Sequence, residues 1–98
     1  MKTPEGKVKD EIKAYLKSIG AYQFWPVQTG YGAATVDCLA CYLGRFIAIE
    51  AKRPGGQPTA RQLKTLGDVE VAWGYAIVVN DPNLLALRKM IEEIEQRD

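Results

Sequence analysis

The chain contains no histidine. That absence removes an imidazole general base, a Ser-His triad, a Cys-His pair and any zinc site that leans on histidine. Cysteine is scarce too, and the two present, Cys38 and Cys41, cannot build a structural zinc site by themselves. No apolar stretch approaches the roughly 20 residues that cross a bilayer. The opening MKTPEGKVKD lacks a signal-peptide pattern. The expectation is therefore a cytoplasmic protein with reduced thiols and no membrane. An excess of one charge is missing as well: thirteen Lys and Arg face twelve Asp and Glu, a net +1, so the overall balance names no partner. Hydrolytic chemistry in such a chain must run on carboxylates and lysine, with or without a hard metal ion.

What is present reads as one globular domain over residues 1–98, with 47% hydrophobic and 26% charged residues. Residues 4 to 19 carry a helical pattern. Thr3 stands as N-cap and Pro4 at the first position, Val8, Ile12, Tyr15, Leu16 and Ile19 recur at helical spacing, and Gly20 closes the helix. Lys7, Lys9, Lys13 and Lys17 on this helix read as a solvated face. Glu11 falls on a shoulder of the apolar stripe, where it either reaches into a cleft or pairs with Lys7 or Tyr15 in solvent.

Three strand-like runs follow: AYQFWPVQT (21–29), TVDCLACYL (35–43) and RFIAIEAK (45–52). Pro26 demotes the first to an edge or a bulge. Gly30-Tyr31-Gly32 opens a loop of small residues, and Gly44 alone divides the second run from the third, predicting a tight antiparallel hairpin. After RPGGQP, Thr59 is the N-cap of a helix to about Val71, with Leu63, Leu66 and Val69 inward. GYAIVVN predicts a strand buried on both faces. Asp81 and Pro82 then start a last helix striped by Leu84, Leu87, Met90, Ile91 and Ile94. The resulting order, α-β-β-β-α-β-α, is an α/β fold in which a mixed sheet carries helices on its faces.

Side chains alternate along a strand, so Glu50 and Lys52 share a face. Asp37 lies seven residues before Gly44 and Glu50 six after it, which makes the two carboxylates neighbours across the hairpin. Two such carboxylates repel unless a cation lies between them. Lys52 can neutralise one, and a divalent ion such as Mg²⁺ can bridge both with waters completing its shell. That set suits phosphodiester hydrolysis without histidine. The competing reading of the same residues is an exposed Glu-x-Lys at a strand end with an incidental aspartate.

Asp37, twelve residues, then Glu50-Ala51-Lys52 resembles the signature of the PD-(D/E)XK nuclease superfamily. With Gly30-Tyr31-Gly32 before Val36-Asp37, the block IEAKRPGGQPTARQ and the final strand and helix, the chain more specifically resembles the VRR-NUC family. The resemblance implies a restriction-endonuclease-like αβββαβ core with an added C-terminal helix. It also implies Mg²⁺- or Mn²⁺-dependent cleavage of DNA, with Asp37, Glu50, Glu11 and the Ala51 carbonyl as metal ligands. Lys52 would then be the catalytic lysine, and Gln62 the glutamine packed against the site. Val36 and Ala60 stand where that family often has proline.

Arg53, Arg61 and Lys64 are candidates for phosphate contacts, and Tyr31 for a further DNA contact. Small stand-alone members of the family, many phage-encoded, resemble junction resolvases that act as homodimers. The expected substrate is therefore branched DNA such as a Holliday junction, in the host cytoplasm if the chain is phage-encoded. A nickase or general endonuclease working with a partner protein, and an inactive nucleic-acid-binding module, are the alternatives. The C-x-x-C of Cys38 and Cys41 suggests a redox site, but it sits in a strand-like run that turns the sulfurs to opposite faces, and two buried, inert cysteines are expected.

Overall fold

A computed structural model describes residues 2–27 and 36–97. Tyr31 and the glycine loop around it lie outside those residues. Seven elements run in order: α1 (Pro4–Ser18), β1 (Tyr22–Phe24), β2 (Cys38–Tyr42), β3 (Arg45–Ala51), α2 (Ala60–Val71), β4 (Tyr75–Val79) and α3 (Leu85–Arg97). The strands form one sheet in the order β1-β2-β3-β4. The first three are antiparallel, and β4 runs parallel to β3 after the α2 crossover. This is the mixed α/β sheet flanked by helices, with a C-terminal helix, that the sequence predicts.

The β2–β3 register explains how the site forms. Tyr42 pairs with Arg45, so the connection is the two residues Leu43 and Gly44 and not Gly44 alone. Both have positive φ, 50° and 78°, as a two-residue hairpin turn requires. Counting back, Cys38 pairs with Ile49, and one step further sets Asp37 opposite Glu50.

Two cores sandwich the sheet. Ile47, Ile49 and Ala51 point to one face and pack with Val8, Ile12 and Leu16 of α1 and Leu87, Ile91 and Ile94 of α3. Ala48 points to the other and meets Val36 and Leu66 of α2. With apolar cover on both sides, β3 is the strand buried throughout its second half.

Several expectations shift. β4 is half-buried along most of its length because it is an edge strand; a continuous apolar run does not distinguish edge from centre. Leu63 is exposed while Leu66 is buried. The last helix begins at Leu85. Asp81 accepts a hydrogen bond from the Asn83 amide at 2.8 Å, and Leu84 takes a left-handed φ of 57°, so the chain completes a turn before the helix starts. Cys38 is buried, its thiol pushed up to about 11 chiefly by that burial, but Cys41 is exposed. Among the described residues no helix is long and apolar enough to cross a membrane.

Candidate active site

The site is built where β3 runs out past the start of β2. Burial of Val36 fixes the approach of Asp37, and burial of Ile49 and Ala51 fixes the backbone on either side of Glu50. The two acids then interlock. The Asp37 amide donates to Glu50 Oε1 at 3.2 Å, and the Ala51 amide donates to Asp37 Oδ2 at 2.9 Å. Ala51 lies two residues past the last β2–β3 pair, so its amide is given to a side chain and not to the ladder. Amide and carbonyl of one residue face the same strand edge, which turns the Ala51 carbonyl toward the Asp37 side. The next amide, that of Lys52, faces the other way and donates to the Val79 carbonyl at 2.9 Å.

Glu50 is the one charged residue in the core of the described chain, 2% exposed. Burial pushes its carboxyl up to about 7, and the negative charge of Asp37 adds to the push. Lys52 opposes it, with Nζ 3.6 Å from Glu50 Oε2. Gln62 donates from Nε2 to the same oxygen at 2.6 Å. That contact is arranged by the helix cap: Gln62 Oε1 accepts from the Thr59 amide at 2.8 Å, and Thr59 Oγ1 accepts from the Gln62 amide at 3.2 Å. The capping box thus immobilises the glutamine that reaches Glu50.

On the other side Lys9 of α1 comes within 3.6 Å of Asp37 Oδ1 and pairs with Glu5 at 3.4 Å. Here the structure departs from the expectation for Glu11, which is exposed. Residues two apart on a helix point about 160° from one another, so the shoulder of α1 that carries Lys9 cannot carry Glu11. Glu5 and Lys9 are the α1 residues that sequence reasoning missed. The signal was there in the i,i+4 spacing of the pair on the flank of Val8.

The loop after Lys52 is tied to the end of β4. The Gly55 amide donates to the Asn80 carbonyl at 3.1 Å, and Asn80 Nδ2 donates to the Gly56 carbonyl at 3.0 Å. Arg53 and Arg61 are exposed on this side, whereas Lys64 is held by Asp68 at 3.0 Å.

Asp37, Glu50 and the Ala51 carbonyl form an oxygen-only donor set, two carboxylates brought together with one of them resisting ionisation. This fits a hard ion that keeps several waters. Among the described residues no cluster of three or more acidic, cysteine or histidine side chains gathers as a closed metal cage.

No family model matches the sequence, and no curated protein matches it. The fold does have a counterpart. A solved structure described as a VRR_NUC domain matches 93% of this chain and 97% of its own, with a TM-score of 0.77 at 20% sequence identity. The order of elements, the mixed sheet and that match agree: the chain has the VRR-NUC family fold.

Proposed function

We propose that this protein is a metal-dependent endonuclease that hydrolyses DNA phosphodiester bonds, acting on branched DNA as a homodimer. The observation that carries the reading is the buried Glu50 interlocked with Asp37 and flanked by Lys52. An acid held at 2% exposure beside a second acid destabilises a fold unless a cation or a chemical task accounts for it. The shared fold with a VRR_NUC domain supports a nuclease-type domain.

In this reading Asp37, Glu50 and the Ala51 carbonyl hold Mg²⁺ or Mn²⁺. The ion, when bound, polarises the scissile phosphate and lowers the pKa of a water. Lys52 brings a positive charge to where phosphate charge builds up, and Gln62 keeps the Glu50 carboxylate in one orientation. Lys9 balances Asp37 and Glu5 balances Lys9, so the α1 pair tunes the charge around the site. Arg53 and Arg61 would grip the DNA backbone, with Lys64 contributing less while Asp68 holds it.

The test is cleavage of labelled four-way junction, duplex and single-stranded DNA with Mg²⁺, Mn²⁺ or EDTA, using wild type and Lys52→Ala. Junction cutting that needs metal and disappears in the variant is expected. Cutting that survives Lys52→Ala overturns the site assignment, and tight binding without any cutting overturns the enzyme.

A further inference from the structure

Lys9 stands 3.6 Å from Asp37, and two more lysines follow it along α1 at four-residue steps, Lys13 and Lys17. Four residues of helix advance about 6 Å, so the row starts at the acid pair and leads away from it for about 12 Å. A groove of about 500 Å³ between α1 and β1 follows this row, lined by Lys13, Lys17, Asp10, Gln23 and Trp25. Phe24 pairs with Leu39, so Trp25 comes next toward the end of β2 where Asp37 stands.

The near end of the groove is held by a closed ring of contacts. Gln23 Nε2 donates to the Lys13 carbonyl at 3.1 Å, and Gln23 Oε1 accepts from Trp25 Nε1 at 2.8 Å. Lys13 Nζ in turn lies 4.8 Å from the centre of the Trp25 ring. The Lys13 ammonium is thus positioned by neutral groups alone, and its charge stays uncompensated. Other lysines differ: Lys2, Lys9, Lys52 and Lys64 each have a carboxylate partner. Among the described residues no carboxylate pairs with Lys13 or Lys17, and both are exposed. Asp10, in the same groove, is taken by Lys2 at 2.8 Å. Like charges one helical turn apart repel, and an anion bound along the two lysines removes that repulsion.

We propose that this ridge carries one DNA strand away from the site. The phosphate to be cut lies at Asp37 and Glu50, and further phosphates of the same strand lie on Lys13 and Lys17. The inference rests on the nuclease reading and adds a path for its substrate. Arg53 and Arg61 are exposed beyond Lys52, so cations flank the acid pair on two sides and the strand crosses between them. Contacts of this kind fix the strand in place and read no base sequence. A single row follows a single strand, so it serves duplex and single-stranded arms alike.

Fluorescence anisotropy of labelled junction, duplex and single-stranded DNA in EDTA, over a range of salt, tests this. Wild type is compared with Lys13→Gln/Lys17→Gln and with Lys7→Gln/Lys89→Gln, far-UV circular dichroism confirming the fold. The second pair removes the same charge from exposed positions on the Glu11 flank of α1 and on α3. Loss of the ridge is expected to weaken binding at least tenfold at low salt. It should also flatten the slope of log affinity against log salt by about 1.8 for duplex and about 1.4 for single strands, two phosphate contacts' worth. The second pair should keep the wild-type slope and bind within about threefold. A ridge variant that behaves like that pair overturns the ridge and leaves the nuclease reading standing. Wild type that binds none of the three DNAs overturns the ridge and that reading together.

Discussion

Asp37 and Glu50 each hold the other's strand: the Asp37 amide donates to the Glu50 carboxylate at 3.2 Å, and the Asp37 carboxylate accepts from the Ala51 amide at 2.9 Å. Electrostatics and folding are coupled through this pair. Burial first, then the charge of Asp37, raises the Glu50 carboxyl from 4.5 to about 7. The native state therefore keeps a proton that the unfolded chain releases at the ordinary value. The resulting contribution to stability is full below about 4.5 and is lost as pH rises through about 7. Urea unfolding in EDTA is expected to show the metal-free protein less stable at pH 8 than at pH 5 by a few kcal/mol, since moving a pKa by one pH unit is worth on the order of 1.4 kcal/mol. Glu50→Gln should flatten that slope.

Gln62 does two jobs that substitution can separate. Its carbonyl oxygen completes the α2 capping box and its amide nitrogen holds Glu50 at 2.6 Å. Gln62→Ala loses both and should cost about 1–2 kcal/mol in thermal unfolding along with most of the cleavage. Gln62→Glu keeps an acceptor for the Thr59 amide, so the cap survives. It replaces the donor to Glu50 with a third negative charge, and cleavage should fall while α2 stays intact. Equal thermal losses in the two variants would show that the cap and the site contact cannot be divided.

Glu5 and Glu11 make opposite predictions. Glu5 pairs with Lys9, which in turn reaches Asp37, while Glu11 is exposed on another side of α1. Glu5→Gln should lower cleavage about tenfold, the scale of an outer-shell change around a metal site. Glu11→Gln should stay within about twofold, as for an ordinary surface position. A single-turnover assay at saturating Mg²⁺ distinguishes them, and the reverse order of effects would restore Glu11 as the helix residue that matters.

The contrast between these glutamates shows how far the sequence could be read. Alternation along β3 and the count across the hairpin brought Asp37, Glu50 and Lys52 together because both are local rules with a period of two. Thr59 was legible as an N-cap for a similar reason, since a cap is decided within one helical turn. Gln62 was assigned to the site only by the resemblance, and its part in the capping box came from the structure. The choice of α1 shoulder was not local. The apolar stripe of Val8, Ile12 and Leu16 fixes which face is buried, but both flanks look alike until the helix is laid across the sheet. The edge position of β4 was hidden in the same way. Burial there depends on whether another strand follows in space, and an apolar run such as YAIVV carries no record of that.

Gly56 is the position where fold and site meet most tightly. It is buried in the loop that follows Lys52, its amide donates to the Arg53 carbonyl at 2.7 Å, and its carbonyl accepts from Asn80 Nδ2 at 3.0 Å. A Cβ added there would lie 3.0 Å from the Arg53 carbonyl oxygen, 3.1 Å from Arg53 Cγ and 3.2 Å from Lys52 Cβ. The side chains can give a little, but the carbonyl belongs to the same tight turn and cannot withdraw without breaking its own hydrogen bond. Gly56→Ala should therefore cost about 1–3 kcal/mol, as overpacking of a filled space does. Relief of the clash would come by moving Lys52, whose Nζ stands 3.6 Å from Glu50. Cleavage should fall by more than the stability loss explains, even at a temperature where the variant is fully folded. Gly55→Ala offers the comparison: an added Cβ meets nothing within 4 Å, but the residue holds φ 74°. It should lose stability through backbone strain alone and keep its cleavage rate once folded. If both variants lose stability and activity in the same proportion, the loop supports the fold without positioning Lys52.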